Sequence, residues 1–251
     1  RVVFSEANTD NMLRAAVSAA NQGICIPVLL GNEEMIQKSA ARLGLNIEGM
    51  EIVNLRHDRE ADRRSRYAMK LAEKHQRNGV TYPEALEKMF DRNYFGMMMV
   101  ETGDADAFIT GVYSRYSEIT KLAKQIIGIR PPYKHFGALN ILTCKKGTFF
   151  ISDTLINRHP STEVLIDIAR VTNHAVKFFA HDPVMAMLSY SNFGSDKQGS
   201  PKKVHDAIDY LHKHHPDLMV DGEMQVNFAL DKKLRDEMYP FNKLKGKDVN
   251  T

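Results

Sequence analysis

The first half of the chain alternates short apolar runs with segments in which apolar residues recur every three or four positions. The apolar runs predict strands. They cover residues 2–4, 24–30, 51–55 and 105–110. The periodic segments predict helices over residues 10–22, 33–43, 58–77, 83–102 and 117–127. Strand and helix in alternation are typical of a parallel sheet flanked by helices.

Cap residues support these helix limits. Thr9 or Asp10 is a suitable N-cap for the first helix, and Asn32 precedes the second, which Gly44 ends. Pro83 opens the fourth helix. Residues 105–110 are expected to be a buried strand that ends in Gly111.

The segment IRPPYKHFG marks the domain boundary, because two adjacent prolines interrupt helix and favour extended backbone. It predicts domains over residues 1–130 and 131–251. The second begins with two strands around a Lys145-Lys146-Gly147 turn. Helices capped by Ser161 and Ser200 follow, and strands are predicted at residues 185–190, 219–220 and 225–230.

Composition narrows the class of protein. Of the 251 residues, 43% are hydrophobic, which suits one large or two moderate domains with real cores. A balance of 34 basic and 31 acidic residues gives little support to nucleic-acid binding. No apolar run approaches the ~20 residues of a membrane span and no leader is evident, so a cytoplasmic protein without membrane contact is expected. Cys25 and Cys144 lie in apolar runs and are interpreted as buried thiols.

Four motifs are better explained by a structural role than by a catalytic or binding role. GSDKQGS, residues 194–200, has two glycines five apart but lacks the lysine of a phosphate loop, and no G-x-G occurs in the chain. The histidines at 212, 214 and 215 fit a helix C-terminus better than a metal site. The arginines at 63, 64 and 66 have acidic neighbours typical of a solvated, ion-paired face. The run FGMMMVETG predicts a buried helix packed with methionine.

One segment is a candidate anion site. The strand at 105–110 delivers Gly111, Ser114, Arg115 and Tyr116 to its carboxyl end, where open α/β sheets bind ligands. A cation beside hydroxyl groups suits an anion. A surface arginine on a loop explains the same residues equally well, so both interpretations remain open.

Four blocks in order, RVVFSEA, YFGMMMVETGDADAFITG, LSYSNFGS and VDGEMQ, resemble the phosphate acetyl/butyryl transferase family over the whole chain. The resemblance implies a phosphotransacetylase-like α/β fold of two three-layer subdomains with mainly parallel sheets. It also implies that the second domain is inserted, so that a C-terminal segment returns to the first. The ligand cleft between the domains is implied to bind acyl-CoA and, in the transferases, acyl phosphate or phosphate.

The chain departs from the transferase pattern at two positions. Lys121 stands where the transferases have an arginine. Lysine lacks the planar guanidinium group that donates two parallel hydrogen bonds to a phosphate. Asn227 stands where they usually have an acid. The family's serine-arginine pair would lie downstream of Thr251.

The segment GVYSRY, residues 111–116, and the segment YPFNKLKGKDVN resemble instead the transferase-like C-terminal part of large NAD(P)-dependent malic enzymes. That module is implied to lack acetyl transfer, to assist homo-oligomer formation and to bind acetyl-CoA as an inhibitory effector. NAD(P) and a divalent metal, Mg or Mn, are expected in a catalytic half outside these residues. The chain is accordingly expected to be cut from a longer protein.

The resemblance implies an effector site and no catalytic or metal-binding residue in this segment. Its residues in the first domain are Ser114, Arg115, Tyr116 and Lys121. Those in the second domain are Ser189, Ser191, Asn192 and Phe193, with Asp221, Gly222 and Met224 shaping the cleft. Two other functions stay open. One is an active phosphate acyltransferase, and the other is an oligomerisation domain whose cleft is empty.

Overall fold

The computed structural model describes residues 1–251, which form two compact units, Arg1–Gly128 and Ile129–Thr251. Each unit contains strands and helices, and four of the five strand pairings are parallel. The predicted α/β class with mainly parallel sheets is therefore confirmed.

The first unit contains one parallel sheet of four strands in the order β3-β2-β1-β4. The strands are β1 (Val2–Phe4), β2 (Pro27–Leu30), β3 (Glu51–Val53) and β4 (Ala107–Ile109). β2 is shorter than predicted, because Ile24 and Ile26 precede the paired residues and are 70% and 66% exposed. β4 is not the buried strand that was predicted: it lies at the sheet edge with Ala107 and Ile109 exposed.

Six α-helices accompany this sheet. They are α1 (Asp10–Asn21), α2 (Glu33–Leu43), α3 (Ala61–His75), α4 (Tyr82–Lys88), α5 (Arg92–Glu101) and α6 (Tyr116–Ile126). Asn32 caps α2 by accepting the N–H of Met35, as predicted. The single helix predicted over residues 83–102 is wrong, because Asp91 accepts the N–H groups of Asn93 and Tyr94 and so begins a new helix.

Successive side chains of β1 enter two different cores, so the first unit has three layers. Val3 packs with Tyr67 and Met98 on the side of α3 and α5. Phe4 packs with Leu13 and Ile36 on the side of α1 and α2. The methionines at 97, 98 and 99 are all buried, which confirms the interpretation of the methionine run as a packed helix.

The second unit combines a hairpin with a short parallel pair. β5 (Leu139–Cys144) and β6 (Gly147–Ser152) are antiparallel, and β7 (Met185–Leu188) pairs in parallel with β8 (Val220–Met224). The helices are α7 (Thr162–Phe178), α8 (Gly199–His214), α9 (Val226–Leu230) and α10 (Lys232–Met238).

Three predictions for the second unit are wrong. Residues 225–230 form α9 rather than a strand, because the N–H groups of Phe228 and Ala229 bond locally to the carbonyl of Gln225. Ser200 does not cap α8, whose N-cap is Gln198. Cys144 is exposed rather than buried, since it lies at the hairpin end opposite Gly147.

The last residues lie between the hairpin and the parallel pair. The N–H of Phe150 on β6 donates to the carbonyl of Asn250, and the N–H of Ala186 on β7 donates to that of Thr251. Beside them is a largely apolar cavity of about 890 Å³, bounded by Phe149, Met185 and Leu230 among others. No helix of the protein is both long and apolar enough to cross a bilayer.

Candidate functional site

In the first unit, the loop that follows β4 folds around the carboxylate of Glu6. Glu6 Oε2 accepts the N–H of Val112 over 2.6 Å, and Oε1 accepts the N–H of Tyr113 at 3.2 Å and that of Ser114 at 3.1 Å. The Ser114 hydroxyl donates to the same Oε1 over 2.9 Å. Glu6 is fully buried and lies two residues beyond β1. Because β1 and β4 are parallel neighbours, they bring Glu6 close to the loop after β4, and we call Glu6 the anchor of this loop.

A polar group of side chains lies beside this anchor. The Ser5 hydroxyl donates to Thr110 Oγ1 over 2.8 Å, and both hydroxyls lie 3.2 Å from Asn93 Oδ1. The Asn93 amide donates to the Ser114 hydroxyl over 3.3 Å. The first turn of α5 therefore connects to the ends of β1 and β4.

The pKa of Glu6 is lower than its ordinary value. Burial alone would raise it, but the hydrogen bonds from the Ser114 hydroxyl and from the N–H groups of Val112, Tyr113 and Ser114 stabilise the ionised form more. A carboxylate held ionised by four donors is a weak base. Glu6 is suited to holding the loop rather than to taking up a proton.

The other predicted residues of this unit point to solvent. The Arg115 side chain is 82% exposed and lies 3.7 Å from Glu118 Oε1, a loose contact that leaves the guanidinium open to a ligand. Arg115 is the N-cap of α6, Tyr116 is its first residue and is 48% exposed, and Lys121 is exposed on the same helix. The structure therefore places these residues on one loop and helix, with Ser114 turned inward.

In the second unit, the loop that follows β7 folds around another buried carboxylate, that of Glu223 on β8. Glu223 Oε1 accepts the N–H of Gly194 over 2.6 Å and the hydroxyl of Ser191 over 3.2 Å. The Ser191 hydroxyl also lies 2.8 Å from Ser195 Oγ and accepts the N–H of Asp196 over 3.0 Å. Ser191 is buried, so its role is to connect the loop internally.

The remaining predicted residues of this loop also make internal contacts. Ser189 donates its N–H to the Met224 carbonyl, and Asn192 accepts the N–H of Gln225 over 2.8 Å. The Phe193 ring packs 4.7 Å from the Tyr239 ring. These contacts fix the path of the loop from β7 to α8.

Asp221, Gly222 and Met224 act through packing. Asp221 Oδ2 accepts the N–H of Lys243 over 2.6 Å, and Met224 is fully buried. A Cβ on Gly222 would lie 2.6 Å from the Met187 carbonyl oxygen, so only glycine permits the approach of β8 to β7. All three shape the strand end without presenting a polar side chain to solvent.

The sequence analysis missed both anchors, Glu6 and Glu223. They lie in RVVFSEA and VDGEMQ, two of the blocks that carry the family resemblance. The available signal was a glutamate inside or directly after an apolar strand, where a buried charge needs partners. No group of three or more His, Cys, Asp and Glu residues is arranged to hold a metal ion.

The arrangement is a pair of strand-end loops, each closed on an internal carboxylate, and comparison with known proteins gives its class. The family model described as phosphate acetyl/butaryl transferase matches residues 1–249. The chain therefore belongs to the phosphate acetyl/butyryl transferase family, as its sequence blocks indicated.

The relatives are of two kinds. The chain is 34% identical over 250 residues to the NADP-dependent malic enzyme of Salmonella typhimurium, covering 98% of this chain and 32% of that enzyme. It is 32% identical over 230 residues to the phosphate acetyltransferase of Corynebacterium glutamicum, covering 92% of this chain and 69% of the relative. The phosphotransacetylase structure from Streptococcus pyogenes superposes with a TM-score of 0.86 at 27% identity, over 100% of this chain and 75% of that one.

These findings confirm the fold and both resemblances. The chain spans about a third of the length of the malic enzyme that it matches. The similarity to part of a malic enzyme and the similarity to phosphate acetyltransferases coexist in the same residues.

Proposed function

We propose that the chain is an acyl-CoA-binding module with a regulatory and oligomerising role in a NAD(P)-dependent malic enzyme. The observation that carries this proposal is a contrast between the acidic and the basic groups at the loop after β4. Its carboxylate, Glu6, is saturated with hydrogen bonds, whereas its cations, Arg115 and Lys121, are exposed. Such a site can bind an anion, and its buried carboxylate is not free to take up a proton.

The charge of the ligand fits these cations. CoA carries several phosphate groups, and charge-assisted hydrogen bonds from Arg115 and Lys121 would hold them. Arg115 supplies a planar fork and Lys121 a single mobile charge. We propose that the exposed surface of residues 189–196 in the second unit takes part in binding as well.

Regulation would follow from the thermodynamic linkage between acetyl-CoA binding and the equilibrium of two states of the assembly. Acetyl-CoA inhibits only as far as it binds a less active state of the assembly better than the active one. We propose a homo-oligomer that can adopt both states. We propose that NAD(P) and a divalent Mg or Mn ion bind in parts of the enzyme outside residues 1–251.

Titration of the full-length protein with acetyl-CoA tests the proposal. Calorimetry should give saturable binding, and malate-dependent reduction of NAD(P) should fall over the same concentration range. Binding without any effect on malate oxidation would contradict the regulatory role. No binding to a folded, intact oligomer would favour an oligomerisation domain with an empty cleft.

A second candidate is an active phosphate acetyltransferase, which the 69% coverage of the Corynebacterium glutamicum relative favours. The sulfur of the CoA thiolate would attack the acetyl carbon, the bond to the phosphate oxygen would break, and phosphate would leave with that electron pair. Arg115 and Lys121 would stabilise the charge in the transition state. Rapid formation of thioester from acetyl phosphate and CoA by the full-length protein would establish this function and overturn the regulatory one.

A further inference from the structure

The backbone N–H groups of the loop over Glu223 all have acceptors, whereas one buried oxygen of the Glu223 carboxylate has no donor. Every backbone N–H from residue 191 to residue 196 has an acceptor within the second unit. Glu223 Oε1 receives two donors, but Oε2 receives none, although the side chain has no exposed surface. A buried carboxylate oxygen without a donor weakens the structure that it anchors.

His205 on α8 is the residue that faces this atom. Its Nδ1 lies 3.5 Å from Glu223 Oε2, and its Nε2 lies 3.5 Å from Asp209 Oδ2. The ring is 47% exposed, so solvent reaches it. A neutral imidazole has one N–H and cannot serve both carboxylates, whereas the imidazolium has two.

No other charged group competes for His205. On α8, Lys202 and Asp206 pair with each other over 2.8 Å. On β8, Asp221 lies near His212 instead, at 3.8 Å. In the loop, Asp196 accepts the hydroxyl of Tyr190 over 2.7 Å. α7 presents no charged atom within ion-pair distance of the ring.

We propose that His205 is a positioning residue for the loop of residues 189–196, and that its imidazolium supplies the donor that Glu223 Oε2 lacks. The second hydrogen bond fixes the carboxylate and, through Oε1, the Gly194 N–H and the Ser191 hydroxyl. Only the imidazolium carries an N–H at both ring nitrogens, so lowering the pH to protonate His205 makes the loop more ordered. If the proposed function holds, acetyl-CoA affinity rises with the same pH dependence.

Hydrogen exchange of the full-length protein tests this without any ligand. In the wild type, protection of residues 191–196, corrected for intrinsic exchange rates, should rise about fivefold from pH 8 to pH 5.5, the effect of one partly exposed ion pair. At pH 8, His205→Arg should be about fivefold more protected than the wild type, because its charge is permanent. His205→Leu should show no pH-dependent rise.

His174 is exposed on α7 and serves as the matched control. His174→Arg and His174→Leu should leave the protection of residues 191–196 and its pH dependence unchanged. A wild-type loop whose corrected protection is the same at both pH values would overturn the proposal, and this measurement needs no variant. Equal protection of His205→Arg and His205→Leu at pH 8 would overturn it as well.

A parallel acetyl-CoA titration separates this inference from the proposed function. A protonation-dependent loop in a protein that binds no acetyl-CoA would retain the role of His205 and remove the effector function. Acetyl-CoA binding with a loop indifferent to residue 205 would retain the effector function and remove the role of His205.

Discussion

The backbone N–H of Gly194 donates to the buried carboxylate of Glu223 over 2.6 Å, and that of Val112 donates to the buried carboxylate of Glu6 over the same distance. Each unit thus satisfies a strand-end loop with a carboxylate of its own. These amide groups are not free to bind a ligand phosphate. The Arg115 side chain, by contrast, is 82% exposed and open to a ligand.

Replacing the anchor of the first loop should destabilise the protein. Glu6→Gln leaves the N–H groups of Val112, Tyr113 and Ser114 with a weaker, uncharged acceptor, and we expect a loss of about 2 kcal/mol in the free energy of unfolding. Urea denaturation measures it. Glu48→Gln, on an exposed residue, is the control and should change little. Equal stability of the two variants would show that Glu6 is not an anchor.

The same variant should reveal how the contribution of Glu6 to the free energy of unfolding depends on pH. The pKa of Glu6 is lower in the folded protein than the usual value of about 4.3, so the ionised carboxylate stabilises the folded state. That contribution is complete above about pH 5 and is lost as the pH falls through the folded pKa. The stability difference between wild type and Glu6→Gln should therefore be constant from pH 5 to 7 and shrink below pH 4. A difference that grows towards acid pH would contradict the direction of this pKa shift.

Arg115 gives a direct test of the effector site. Because its side chain is almost free of protein contacts, Arg115→Ala should leave stability unchanged and weaken acetyl-CoA binding about tenfold, the effect of one lost charge-assisted hydrogen bond. Inhibition of malate oxidation should shift to proportionally higher acetyl-CoA, while uninhibited turnover stays the same. Arg14→Ala, on the exposed side of α1, is the control for a general loss of positive charge. Unchanged inhibition in Arg115→Ala would place the effector elsewhere.

Lys121 tests how the site holds a phosphate group. Lys121→Arg provides a planar fork that can donate two parallel hydrogen bonds, so inorganic phosphate should bind several-fold more tightly. Calorimetry with phosphate measures the change. Lys124→Arg, also exposed on α6, should have no effect. Identical phosphate affinity in the two variants would exclude Lys121 from the site.

Gly96 tests the packing of the methionine helix against the sheet. A Cβ at this position would lie 2.4 Å from the Phe108 ring and 3.0 Å from Leu30 Cδ1. Gly96→Ala should therefore lower the free energy of unfolding by about 1–3 kcal/mol. Gly137→Ala is the control, because no atom lies within 4 Å of its added methyl group. Similar stability of both variants in thermal unfolding would mean that α5 moves away from β4 easily.

Local sequence signals predicted the fold of the first unit well and that of the second less well. Asn32 and Gly44 mark the ends of α2 because their side-chain and backbone preferences act locally. The segment 225–230 was misassigned because Val226 and Leu230 are apolar yet exposed, so their pattern does not report burial. The cap at Asp91 was overlooked because apolar residues continue on both sides of it, with Met89 before it and Phe95 after it.

The sequence indicated the exposed residues of the loop after β4 and several inward-turned residues such as Ser114 and Ser191, but neither carboxylate anchor. Arg115, Tyr116 and Lys121 are close in sequence and lie together on one loop and helix, so a linear pattern was sufficient to group them. Glu6 was not predicted as their support, because its contact with the loop crosses 106 residues and depends on the pairing of β1 with β4. Long-range partners of this kind are set by strand order, which no local pattern encodes.

The separation of Glu6 from its loop also bears on the order in which the protein folds. The carboxylate of Glu223 reaches Gly194 across only 29 residues, whereas that of Glu6 reaches Val112 across 106. Contacts between distant residues require a larger loss of chain entropy before they form, and they form more slowly. The loop of the second unit is therefore expected to assemble early. The one that carries Arg115 can assemble only after β4 has joined the sheet, so its completion reports that the first unit has finished folding.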